Sequence, residues 1–200
     1  MAVTRTAPAG LDHREPATTG VHDMASTHVS AGTAQGFTRD APVNTRAVVG
    51  VLVAGMAAGM MMGILQMLVE AVSGQGFWAP LRYIASVFTR GADTDASFSA
   101  RPVLVGLAGH MMISVVFGAI FAAVVWKLTR NPIVLAILGM MWGALLYAAM
   151  WWGVAATFDP AMQLVNAQWF FVSHLVFGMV LGLGVAVAQR LSAAPRLASR

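Results

Sequence analysis

The sequence predicts an all-α protein: a four-transmembrane-helix bundle with a short interfacial helix in its first outer loop. Three observations carry this. Hydrophobic residues make up 58% of the 200-residue chain and charged residues only 10%, whereas soluble domains average about 45–50% and about 25%. So little charge cannot cover a water-exposed surface, which makes lipid the solvent and the bilayer the first partner. Charge-free runs at 47–69, 102–126, 131–158 and 160–189 each exceed the ~20 apolar residues that a helix needs to cross the hydrocarbon. These runs are continuous rather than alternating, which excludes a transmembrane β-barrel.

Each span is placed from its flanking charges, giving helices near 47–72, 103–126, 132–156 and 164–189. The 12 basic residues set the orientation. With an inner N-terminus, Arg5, Arg14, Arg39, Arg46, Lys127, Arg130, Arg190, Arg196 and Arg200 lie inside and Arg82, Arg90 and Arg101 outside. That asymmetry predicts cytoplasmic N- and C-termini, in the inner membrane of a bacterium. Residues 1–45 are rich in Thr, Ala, Gly, Pro and His without an apolar period, so they read as a disordered cytoplasmic tail. No apolar core of a signal peptide follows a basic start; Met24 is a second candidate start. The transmembrane domain is 46–190, and 191–200 form a cytoplasmic C-terminal tail.

The first outer loop, 73–101, is the only long connection. Pro80 suits the first turn of a helix, after which Leu81, Ile84, Ala85 and Phe88 share one face. Trp78 and Tyr83 belong at headgroup level. The segment reads as an amphipathic helix on the outer surface or tucked over the bundle mouth: a membrane-anchored loop, or a lid on a site below.

Glycines mark the packing faces. Gly55, Gly59 and Gly63 are spaced by four, and Gly139–Gly143 and Gly178–Gly182 repeat that spacing, which lets helix backbones approach closely. The pentapeptides Gly59-Met60-Met61-Met62-Gly63 and Gly139-Met140-Met141-Trp142-Gly143, with Phe117-Gly118 and Phe177-Gly178, suggest a two-plus-two parallel repeat of helical hairpins. The 14 methionines include consecutive residues that must point in different directions, so flexible apolar filling accounts for them better than a thioether metal site.

Polar side chains in hydrocarbon are costly and therefore informative. The candidate intramembrane polar site comprises Gln66, Glu70, His110, Ser114, Tyr147 and His174. Gln66 and Glu70 are one turn apart and continue the glycine stripe into the bundle. At 1.5 Å per residue, His110, Tyr147 and His174 lie ~12, ~13 and ~15 Å below the outer ends of their helices. Three chemistries follow. His110 and His174 are a possible axial pair for haem b, and with Glu70 they make the two-imidazole, one-carboxylate set of a transition-metal centre. The same groups could pass protons through Glu70 in a small transporter, or hydrogen-bond a quinone or lipid headgroup. The plainest alternative is hydrogen-bonding glue between helices, with no cofactor.

The chain has no cysteine, which removes disulfides, thiolates and iron–sulfur clusters. No phosphate-cradling, serine-hydrolase or His-Glu-x-x-His motif is present, so no catalytic residues are assigned. No basic patch or RNA-reading motif points to nucleic acid. The stretch Glu70-Ala71-Val72-Ser73-Gly74-Gln75-Gly76-Phe77-Trp78-Ala79-Pro80, followed by the His110 and His174 helices, resembles small four-helix bacterial inner-membrane proteins of uncharacterised function. The resemblance spans roughly 47–190 and implies fold and location, with no activity attached. The expected role is a non-enzymatic accessory protein: a homo-oligomer, or a subunit of a membrane complex, packed through glycine faces.

Overall fold

A computed structural model describes residues 44–89, 98–157 and 160–193. Residues 1–43 of the expected tail 1–45, residues 194–200 of the expected tail 191–200, and the loop charges Arg90 and Asp159 lie outside the described residues. The described residues form α1 (Thr45–Val72), α2 (Ala79–Thr89), α3 (Ala100–Val125), α4 (Pro132–Ala148) and α5 (Ala167–Ala193), with no strand among them. Four helices are long and apolar enough to cross a membrane, Thr45–Val72, Ala100–Val125, Pro132–Ala155 and Ala167–Ala193. Large apolar side chains such as Val53, Leu104, Ile120, Met141 and Leu183 are exposed on their outer faces, as lipid, not water, requires. This is a multi-pass membrane protein.

Helix ends follow local chemistry. Asn44 Oδ1 accepts from Arg46 N at 3.2 Å and starts α1, while Asn44 Nδ2 donates to Ser192 O at the end of α5. Asn131 Oδ1 accepts from Ile133 N and Val134 N, and Pro132 occupies the first turn of α4. An orphan amide at a helix start is satisfied by such a side chain. Gln189 Nε2 donates to Trp126 O and Thr129 O, which holds the α3–α4 loop onto α5. At the end of α1 the backbone carbonyl of Glu70 accepts from Gln75 N and Gly76 N. Gly74 and Gly76 take φ of 81° and 101° there, a left-handed turn that residues with a Cβ resist.

Several boundaries differ by a few residues from the sequence expectation: α3 starts at Ala100 rather than near 103, and α5 ends at Ala193 rather than near 189. The fourth span begins at Ala167, not near 164, because Asn166 Oδ1 accepts from Gln168 N and Trp169 N and fixes the start. Residues Pro160–Leu164 instead form a 3₁₀ turn. The third span widens after Ala148 into a π-helical stretch, Ala149–Ala155.

Glycines set the helix pairs. A methyl at Gly139 would collide with the Gly178 carbonyl, and one at Gly143 with the His174 carbonyl; Gly182 sits equally hard against the Leu135 carbonyl. These contacts join α4 to α5. Gly55 faces the backbone of Ser114 and Val115, Gly59 faces the Ser114 side chain, and Gly118 meets Gly55 Cα, joining α1 to α3. Gly50 against Ala188 and Gly184 against Ala54 join α1 to α5. The glycine stripes are therefore spent inside the chain; an oligomer would need another face. The pairings also show the repeat's register: Gly63 lies beside His110 as Gly143 lies beside His174, and Gly59 faces Ser114 as Gly139 faces Gly178. The matching positions are thus His110 with His174, one turn away from the alignment that the Phe-Gly pairs suggest.

Around the bundle the order is α3–α1–α5–α4, and α3 and α4 barely touch. Half of the α5 membrane window is buried (50%), against 28%, 28% and 22% for the other spans, so α5 is the central helix. The short helix α2 is seated against the spans. It packs along α3, with the Leu81 carbonyl pressed against Gly106 and the Phe88 ring against Gly109. Its buried face includes Arg82, Tyr83 and Ser86 as well as Leu81 and Ala85.

Candidate functional site: a cavity between two helical hairpins

The separation of α3 from α4 leaves a cavity of ≈ 290 Å³. Every element contributes to its wall. Met62 comes from α1, Ile84, Val87 and Phe88 from α2, and His110, Ile113, Ser114 and Phe117 from α3. Leu146 of α4, Met150 and Val154 of the π stretch, Met162 of the 3₁₀ turn, and Phe170, His174 and Phe177 of α5 complete it. Among the described residues, His110, Ser114 and His174 are its only polar ones. An apolar pocket with a few convergent polar groups is the usual form of a small-molecule site, and this one lies near the small end of the ~300–1,000 Å³ range. Two backbone features shape it. The π stretch carries Met150 and Val154 of the wall, and such a local widening is often found at functional sites. Helix α2 roofs the cavity, so the lid reading of this helix has the geometry it requires.

The two histidines are held differently. His110 Nε2 donates across the helix pair to Gly59 O at 2.9 Å. The absence of side chains at Gly59 and Gly63 lets the ring come this close; a Cβ at Gly63 would lie 3.4 Å from Nε2. His174 Nδ1 donates within its own helix to Phe170 O at 2.8 Å. A carbonyl can only accept, so Nε2 of His110 and Nδ1 of His174 each carry a proton. Phe170 stands edge-on to His174 at 4.4 Å between ring centres. Tyr147 packs edge-on to His174 at 5.9 Å and stacks on Trp151 at 6.1 Å. Tyr147 thus belongs to an aromatic wall behind His174, not to the cavity lining.

Gln66 and Glu70 form a separate pair. Gln66 Nε2 donates to Glu70 Oε1 at 2.8 Å, and Asn166 N donates to the same oxygen at 3.0 Å. Both side chains are buried. A second, smaller cavity of ≈ 40 Å³ is lined by Gln66, Tyr83 and His110 among apolar residues. The His110 ring therefore borders both cavities. The six sequence candidates divide accordingly: His110, Ser114 and His174 at the large cavity, Gln66 with His110 at the small one, Glu70 bonded to Gln66, and Tyr147 behind His174.

This division weighs against the ligand set of His110, His174 and Glu70 for a metal. The Glu70 carboxylate is engaged by Gln66 and Asn166, and among the described residues no three His, Asp or Glu side chains gather as metal ligands would. Met62, Met150 and Met162 line the wall, whereas Met60, Met61, Met112 and Met141 are exposed on outer faces, in keeping with apolar filling.

Arg82 and Tyr83 of α2 were not legible as site residues. Arg82 is fully buried and Tyr83 nearly so. Burial first, and then the Glu70 charge, push the Tyr83 phenol above its ordinary pKa, with Arg82 acting in the opposite sense. The available signal was the spacing of Arg82 and Ser86, one turn apart on a face next to the apolar one.

No protein-family model matches the chain, and neither does any curated protein or solved structure. The reading of function therefore rests on the geometry alone.

Proposed function

We propose that this protein is a non-enzymatic, multi-pass protein of the bacterial inner membrane that binds a small lipophilic molecule with one hydrogen-bonding head. The single observation that carries this is the ≈ 290 Å³ cavity whose polar lining, among the described residues, is His110, Ser114 and His174. The apolar wall takes the body of the ligand by area burial, and the three polar groups orient its head. With α3 and α4 barely in contact, the molecule enters from the bilayer between these two helices. The basic residues support termini in the cytoplasm: Arg46, Lys127, Arg130 and Arg190 flank the spans at one end, against Arg82 and Arg101 at the other.

The test is equilibrium binding of an alkylated nitrophenol, and of its methyl ether, to the detergent-purified chain. Saturable binding is expected, lost in Leu146→Trp, where the indole occupies the cavity. Binding that does not saturate, or that ignores Leu146→Trp, refutes the site.

A further inference from the structure

Gln66 Oε1 is buried without a hydrogen-bond partner, on a side chain only 4% exposed. The neighbouring bonds fix which end of the amide is left over. Glu70 Oε1 accepts from the backbone N–H of Asn166 and from Gln66 Nε2. Facing that acceptor, the amide offers its nitrogen, and its oxygen remains. A buried acceptor without a donor is costly, and this one belongs to a residue on the wall of the ≈ 40 Å³ cavity.

The two cavities share a partition. Met62, Ile84, His110, Met162 and Phe170 line both of them. Two of these five are methionines, whose unbranched thioether chains adapt to what lies beside them. The small cavity exceeds the ~10–15 Å³ that a water needs and falls far short of the ~150 Å³ that holds a benzene ring. A hydroxyl therefore fits it and an aromatic head does not.

We propose that the small cavity is the head-group subsite of the large one, and that Gln66 Oε1 accepts the proton-bearing head of a linear long-chain alcohol. The proposal rests on the binding reading above and names the class of ligand. The chain lies in the ≈ 290 Å³ cavity against Phe117, Leu146 and Phe177. It crosses the partition beside His110, and its hydroxyl ends at Gln66. An alkyl ether of similar length has no proton to donate there. A ring, such as that of the alkylated nitrophenol, stays in the large cavity with His110, Ser114 and His174.

Displacement of the alkylated nitrophenol from the full chain in detergent tests this, with decanol and its methyl ether as competitors at matched concentrations in the micelle. In the parent protein, decanol is expected to displace the probe about tenfold more strongly than the ether, the scale of a hydrogen bond to an acceptor otherwise left unpaired. Gln66→Met keeps the volume and removes the acceptor, so this preference is expected to vanish. Val165 lines the small cavity and not the large one. Val165→Met fills that space from the turn before α5, is expected to abolish the preference likewise, and decides the matter where Gln66→Met does not fold. Nitrophenol binding reports whether the large cavity is intact in each variant, since neither residue lines it. Equal displacement by alcohol and ether in the parent, or a preference that survives either substitution, overturns the subsite and leaves the binding reading standing. If the nitrophenol does not bind the parent, the binding reading has failed and the subsite falls with it.

Discussion

The hairpin α1–α3 and the hairpin α4–α5 use one register for two purposes. In each, a glycine of the outgoing helix lies beside a histidine of the returning one: Gly63 with His110, and Gly143 with His174. One turn along, Gly139 meets Gly178 backbone to backbone, whereas Gly59 meets the side chain of Ser114. That single difference separates the outcomes. With glycine on both sides, α4 and α5 close completely, and His174 can only turn back onto Phe170 O of its own helix. With serine on one side, α1 and α3 stand slightly apart, and His110 crosses the seam to Gly59 O. The same residue type is therefore a cross-helix tie in one hairpin and a cavity wall braced by Phe170 and Tyr147 in the other.

The largest break in this comparison comes from Gly178→Leu. The new side chain meets the Gly139 backbone, which cannot rotate away, so a cost of about 3 kcal/mol or more is expected. Loss of a monodisperse peak in detergent gel filtration would register it. Gly59→Ala should be milder, because Ser114 can shift its side chain, and the ratio of the two thermal shifts measures how different the seams are. Next comes Asn166→Ala. Removing the cap of α5 and its bonds to Gln168 N and Trp169 N should cost about 1 kcal/mol, read as a lower unfolding midpoint in a denaturing-detergent titration. Smaller again is His110→Ala. A cross-helix hydrogen bond in a membrane is worth about 0.6 kcal/mol, so a modest shift is expected, larger than that of His110→Gln, which can still donate to Gly59 O. The smallest effect belongs to Gly153→Ala, since nothing lies within 4 Å of the added methyl. An unfolding midpoint equal to the parent's is expected; a large loss would show that the π stretch is packed more tightly than its geometry indicates.

Much of the fold was legible from residue types alone. Charge-free runs between Arg46, Glu70, Arg101, Lys127 and Arg190 located the spans, because an ionised side chain is excluded from hydrocarbon wherever it can be. The start of α5 was misplaced because Leu164 and Val165 are as apolar as the helix itself, and only the cap at Asn166 marks the boundary. The seat of α2 was legible in part. Its apolar face was read correctly, but the burial of Arg82 and Tyr83 depends on Gly106 and Gly109 of α3 admitting the helix, a contact that no local pattern records. Likewise, the sequence brought six polar residues to one region without saying that Tyr147 stands behind His174 or that Glu70 is taken by Asn166.

By itself, then, the sequence determined the solvent, the number of spans and the glycine seams, since these follow from the free energy of each side chain in lipid and from its size. The tertiary structure decided which seams close and which leave a space. That depends on the order α3–α1–α5–α4 and on the gap between its two edges, where α3 and α4 part and the histidines face a common cavity. A cavity is the place where neighbouring helices fail to fill space, and that failure is a property of the assembled bundle, not of any one helix.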